Sequence, residues 1–233
     1  MSDSECNLVR GLAGDLLKIT ASAEQLSTLY ETLGEFNHLV RNRLNSLKLS
    51  IYLARQDGPK HLDEYWAELD RRYRTIEGFV ERLQTIYRPM SLTPMRLTVG
   101  MLFDDLHAKW SKGFESRQVR FMLTSPSDQA VGHFDPIRLG QGLDALAAWR
   151  TDNAKANSLV HVEWHVAGED VVVLWREPEV TCLPLDDAPE GDAPCLALPL
   201  LARIITAHGG RLDASLEDGL LLQLRWPLGA CAA

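Results

Sequence analysis

His38 stands in the run Phe36-Asn37-His38-Leu39-Val40-Arg41-Asn42-Arg43-Leu44-Asn45-Ser46-Leu47. A histidine can act as a nitrogen nucleophile near neutral pH, because the imidazole can be uncharged there while one ring nitrogen stays free to attack. Asn42 follows four residues later, one helical turn along the same face. Arg41, Arg43 and Lys48 surround these two, and Arg71, Arg72 and Arg74 form a second basic group about thirty residues on. A basic collar around a nucleophile would steer an acidic partner surface toward it.

Two amphipathic segments must position these residues. Leu33, Asn37, Val40, Leu44, Leu47, Ile51 and Ala54 recur at alternating spacings of four and three, one stripe of a helix. Leu62, Trp66, Leu69, Tyr73, Ile76, Val80, Leu83 and Tyr87 repeat the pattern after a turn at Asp57-Gly58-Pro59. The two stripes predict an antiparallel helical hairpin. Left alone it would expose a large apolar patch, so pairing with a second copy into a four-helix bundle is expected. With Asn37 in the seam, His38 projects about 100° around the helix, to the rim of that bundle.

Arg88-Pro89 ends the second helix and Pro94 keeps the connection extended. Beyond it the period changes. Strands are expected at 95–99, 119–124, 160–166 and 170–175, with Gly168 in the turn between the last two. Helices are expected at 100–110, 137–149 and 198–207. Gly209-Gly210 closes the last helix before a hairpin around Asp218-Gly219, and a Pro/Asp-rich loop fills 177–194. The fold class is therefore α+β: a helical hairpin, dimeric as a four-helix bundle, followed by a sandwich with helices on one face of a mixed sheet. The expected divisions are a lead segment at 1–22, the hairpin at 23–89 and the sandwich at 95–229.

The 233 residues are 45% apolar and 24% charged, as in ordinary globular chains, and the formal net charge of -8 argues against general nucleic-acid binding. No run approaches the roughly 18 apolar residues of a membrane span. The opening MSDSECNLVR lacks a signal peptide's basic start and apolar stretch, so a cytoplasmic location is expected. Cys6, Cys182, Cys195 and Cys231 are widely separated and indicate neither a zinc site nor a disulfide framework.

The run around His38 resembles the phosphoacceptor box of bacterial histidine kinases, of the form H-E-x-R-N-P-L-N, in His38, Arg41, Asn42, Leu44 and Asn45. Asp135-Pro136-Ile137-Arg138-Leu139-Gly140-Gln141-Gly142-Leu143 resembles the start of the kinase N-box, and Ala207-His208-Gly209-Gly210-Arg211-Leu212 the corner that ends the ATP-binding domain. The resemblance implies a dimerisation and phosphoacceptor hairpin beside an ATPase domain of the histidine-kinase type. It makes His38 the phosphoacceptor and gives Asn42 an orienting or phosphatase role.

The sequence departs from the family at the histidine's neighbour and in the nucleotide motifs. Leu39 replaces the acidic residue that assists phosphorylation from ATP. By the family's spacing, the asparagines that hold magnesium and phosphates fall on Ala145 and Trp149, which cannot serve a hard cation. Trp175-Arg176-Glu177-Pro178-Glu179 stands where D-x-G-x-G should close a strand, and Cys195-Leu196-Ala197-Leu198 where G-x-G-L should meet phosphate. No ATP binding or hydrolysis, and no resident cofactor or metal, is expected.

The resemblance then implies a histidine phosphotransferase that moves a phosphoryl group between receiver domains on His38 without ATP. Magnesium would come with the receiver. A non-catalytic pseudokinase that binds and modulates a kinase or response regulator is the alternative, ahead of an active sensor kinase or an Asn42-dependent phosphatase. The expected partners are a second copy of the chain and a response-regulator receiver domain or a kinase, with neither nucleic acid nor membrane.

Overall fold

The computed structural model describes residues 40–42, 44, 45, 47–49, 51, 52, 63–126, 130–180, 196–216 and 218–229. His38, Arg43, the Asp57-Gly58-Pro59 turn, the lead segment and all four cysteines lie outside them. The described residues between 40 and 52 are helical, and helix α1 runs Asp63–Tyr87. Arg41 shares a cleft with Glu81, Thr85 and Arg88, while Lys48 reaches Glu77 (3.6 Å) and lies over the Tyr73 ring (5.4 Å to its centroid). Higher numbers on one helix meet lower numbers on the other, so the two run antiparallel.

The apolar stripes divide between two environments. Tyr73, Val80 and Tyr87 of α1 are buried within the chain, whereas Leu47, Leu69 and Ile76 remain uncovered, at 45%, 38% and 47% exposure. After α1 come β1 (Met95–Thr98), α2 (Val99–Ser116), β2 (Arg120–Thr124), β3 (Val131–Phe134), α3 (Pro136–Asn153), β4 (Leu159–Ala167), β5 (Asp170–Glu177), α4 (Ala197–Ala207), β6 (Arg211–Ser215) and β7 (Leu220–Pro227). The main sheet has five strands in the order β2-β4-β5-β7-β6, with β2 parallel to β4 and the other neighbours antiparallel. It is the mixed sheet that the sequence predicts.

Strand β3 is a correction. The sequence reading leaves 131–134 without structure, yet they pair antiparallel with β1 in a separate two-stranded sheet, Met95 opposite Phe134 and Thr98 opposite Val131. Helix α2 also extends beyond its expected end at 110, to Ser116, because Phe114 continues the face that the sheet buries.

Alternation along the strands assigns the two faces of the sheet. Val160, Val162 and Trp164 of β4, Val171, Val173 and Trp175 of β5, and Leu220, Leu222, Leu224 and Trp226 of β7 point into one core with α2, α3 and α4. Aromatic contacts tie α2 to it: Phe103 stacks on Trp164 (5.5 Å, 11°), Trp110 meets Trp175 edge-on (5.7 Å) and Phe114 stacks on Phe121 (5.2 Å). The other face is mixed: the ion pairs Arg176–Glu163 (3.0 Å) and Arg225–Asp170 (3.6 Å) lie on it together with Val172 and Leu174.

The Gly209-Gly210 corner forms as expected. Gly209 adopts φ +74°, and a Cβ on Gly210 would lie 2.0 Å from the carbonyl oxygen of Arg225. Only glycine lets α4 turn so tightly onto β7. The hairpin's second helix is joined to the same unit by Arg203 of α4, whose Nε and Nη2 donate to the carbonyl oxygens of Ile86 (3.1 Å) and Arg88 (3.4 Å).

Candidate functional site

The residues that the resemblance assigns to a nucleotide lie on α3, at the end of β5 and at the start of α4. Asp135 begins α3 as an N-cap, its Oδ1 accepting from the Arg138 amide (2.9 Å), with Pro136 at the first helical turn. Its Oδ2 accepts from the amide of Thr93 (2.8 Å), which fixes the linker to the helix start. The Asp135 amide in turn donates to Nε2 of His208 (3.2 Å), and Nδ1 of His208 donates to the carbonyl of Ile204 (2.8 Å). Two of the family-like segments are thus bonded to each other.

His208 is 1% exposed. Burial pushes its pKa below the usual 6.5, and the Ile204 carbonyl opposes that only in part. An amide donor facing Nε2 requires that nitrogen's lone pair, so the neutral tautomer with its proton on Nδ1 fits this arrangement.

Farther along α3, Ala145 is half-buried and Trp149 is buried. The next residue, Arg150, forms a bidentate pair with Glu177 at the end of β5, Nε to Oε1 at 2.8 Å and Nη2 to Oε2 at 2.9 Å. Trp175 Nε1 adds a third hydrogen bond to Oε1 (2.7 Å), and both charged side chains are 2% exposed. The guanidinium also lies 4.9 Å from the Trp149 ring centroid. Leu196, Ala197 and Leu198 at the start of α4 are buried in the core. In the run that stands where the resemblance expects D-x-G-x-G, the carboxylate of Glu177 is already engaged by an arginine and an indole. Sequence reading missed that pair, because it treated Glu177 only as part of a run lacking the D-x-G-x-G residues and did not single out Arg150.

The hairpin residues are placed as follows. Arg41 and Asn42 are exposed on the first helical stretch, and Arg71 and Arg74 are exposed on α1. Of Arg72 only its place on α1 is described. Arg74 pairs with Asp70 (2.7 Å), and Lys48 is engaged by Glu77 and Tyr73, so those two cations are partly committed within the hairpin. His38 and Arg43 lie outside the described residues. Among the described residues no cluster of three or more His, Cys, Asp or Glu could hold a metal ion, and no helix is long and apolar enough to cross a membrane.

This is a histidine-kinase-like fold, an α/β sheet domain resembling the kinase ATPase domain. The chain is similar to the Acinetobacter baumannii histidine kinase AdeS, with 13% identity over 82% of this chain and 98% of that one, and a TM-score of 0.57. It is also similar to full-length ShkA in complex with AMPPNP (18% identity, 87% of this chain, TM-score 0.64) and spans 47% of that longer protein. A third likeness is to histidine kinase ThkA in complex with the response regulator TrrA, at 17% identity over 94% of this chain and 67% of that one, with a TM-score of 0.60. At these identities the likeness is one of fold. No protein-family model matches the chain, and no curated protein matches it.

Proposed function

We propose that this chain is a two-component signalling protein, a histidine phosphotransferase that passes a phosphoryl group between receiver domains through His38 without using ATP. The observation that carries the reading is the Arg150–Glu177 pair, buried in the run that stands where the resemblance expects D-x-G-x-G, with Trp149 beside it. A fold of the kinase type whose nucleotide positions hold its own side chains keeps the phosphoacceptor half of the chemistry and loses the ATP half. The ThkA likeness supports a response-regulator partner, since that kinase was captured with TrrA.

In the reaction, a ring nitrogen of His38 attacks the phosphorus of an aspartyl phosphate on the donor receiver. An N–P bond forms, the P–O bond to the carboxylate breaks, and the carboxylate leaves with the electron pair. The reverse sequence on a second receiver completes the transfer. Phosphoryl transfer is chiefly positioning and charge stabilisation, and the receiver brings the magnesium. This chain supplies the nucleophile, Asn42 as an orienting amide, and the docking cations Arg41, Arg43, Lys48, Arg71, Arg72 and Arg74. The dimer belongs to the same reading, since Leu47, Leu69 and Ile76 form an uncovered apolar stripe suited to a second copy. So does a cytosolic workplace, where receiver domains operate.

The decisive experiment incubates the protein with a phosphorylated receiver domain and looks for acid-labile phosphate on His38. Wild type should acquire it and His38→Ala should not, with folding unchanged, while Arg72→Glu should slow docking and reduce its salt dependence. Receiver binding by wild type without any phosphate on His38 would replace this reading by the non-catalytic module.

A further inference from the structure

A cleft of about 330 Å³ opens where the hairpin, the linker after it and the sheet domain meet, lined by Arg41, Glu81, Thr85, Arg88, Met90 and Arg138 among others. Three arginines from separate parts of the chain converge there, against the single carboxylate of Glu81. The fold, rather than a local run of sequence, assembles this charge. Among the described residues none of the three has a carboxylate within ion-pair distance. They differ in this from Arg74, which is committed to Asp70, and from Arg150, which is committed to Glu177.

Two of the three are also held in place. Arg138 sits in the first turn of α3, with its amide capped by Asp135 and its Nη1 donating to Gln141 Oε1 (3.2 Å). The backbone of Arg88 is pinned by Arg203, which donates to its carbonyl. Three guanidinium groups gathered around one carboxylate leave an excess of positive charge, and their planar forks match tetrahedral oxyanions. The cleft lies at the lower end of the size range of small-ligand pockets, about 300–1,000 Å³. Pro89 and Met90 add an apolar wall.

We infer that this cleft is a binding site for a phosphate-class dianion, either the free ion or the phosphate group of a small organic ester. A ligand seated there would contact the hairpin through Arg41, the linker through Arg88 and the sheet domain through Arg138, and would tie the three together. The inference does not depend on phosphoryl transfer at His38.

The test titrates the full chain at constant ionic strength with inorganic phosphate and, separately, with glycerol 3-phosphate. Heat of binding and melting temperature are followed, with chloride as the ionic control. Wild type should give saturable heat and a rising melting temperature with at least one probe, because a ligand that binds only the folded state stabilises it. Arg88→Glu and Arg138→Gln should each weaken binding by roughly tenfold or more, the loss of one charge-assisted contact. Arg74→Glu, outside the cleft, and His38→Ala should both bind as wild type does. Tighter binding of the ester assigns the site to organic phosphates, and equal or weaker binding assigns it to the ion itself. If Arg88→Glu fails to fold, Arg138→Gln, a neutral change on the first turn of α3, decides alone. No saturable heat from wild type with either probe overturns the inference, as does unchanged binding in the folded arginine variants.

Discussion

Arg150 and Glu177 are 27 residues apart in sequence and meet through two parallel hydrogen bonds in the core, one partner on α3 and the other closing β5. A buried pair of this kind is costly to break and contributes modestly as a whole, since desolvation of both charges offsets much of their attraction. Arg150→Ala should therefore destabilise the protein by about 3–5 kcal/mol, because it leaves an uncompensated buried carboxylate. The double variant Arg150→Met, Glu177→Leu should recover most of that loss. Urea unfolding of the three proteins checks this, and a double variant as unstable as the single would contradict it.

The same pair bears on nucleotide. Calorimetry with millimolar MgATP should give no saturable heat, since Ala145 and Trp149 offer no oxygen ligand to magnesium and Glu177 is already engaged. Micromolar binding would revive the sensor-kinase reading.

His208 predicts a pH dependence of stability. Its folded pKa lies below the usual 6.5, so as pH falls past that value the unfolded chain takes up a proton that the folded chain refuses. The contribution is complete above about pH 7.5 and is lost as the pH falls from about 6.5 toward the folded pKa, at up to about 1.4 kcal/mol per pH unit. Denaturation midpoints measured between pH 7.5 and 5 should fall more steeply for wild type than for His208→Gln. Equal slopes would mean that His208 takes its proton in the folded state as well.

The hairpin predicts association. Sedimentation at micromolar concentration should find two chains per particle, and Leu44→Asp should give monomers, because a carboxylate in that apolar seam goes unpaired. A monodisperse wild-type monomer would leave Leu47, Leu69 and Ile76 without the cover proposed for them.

How much of this was legible in the sequence depended on how local its cause is. The Gly209-Gly210 corner could be read because glycine alone meets the backbone demands there, and β5 because Val171, Val172 and Val173 form an unbroken apolar run. The Val131-Gly132-His133-Phe134 segment gave no such signal. It is four residues long and contains a glycine and a histidine, and it becomes a strand only through pairing with β1. At the candidate site, spacing alone set Ala145 and Trp149 where the resemblance calls for asparagines. What surrounds them was not legible, since Arg150 with Glu177 and Asp135 with His208 are contacts made by the tertiary fold across 27 and 73 positions. Helical spacing placed Arg41 near His38, but nothing local joined it to Arg88 and Arg138.

The grip of Arg203 on the end of α1 has a mechanical consequence. Its guanidinium takes the carbonyls of Ile86 and Arg88 just where a hinge between the hairpin and the sheet domain would lie, and Ile86 itself is fully buried in the shared core. A swivel at that point would strip two acceptors of their donor and pull Ile86 out of its packing. The sheet domain is therefore carried as a fixed load on the helix. A torque applied along the hairpin by a docked partner would reach β6 and β7 through α4 instead of being absorbed at the joint.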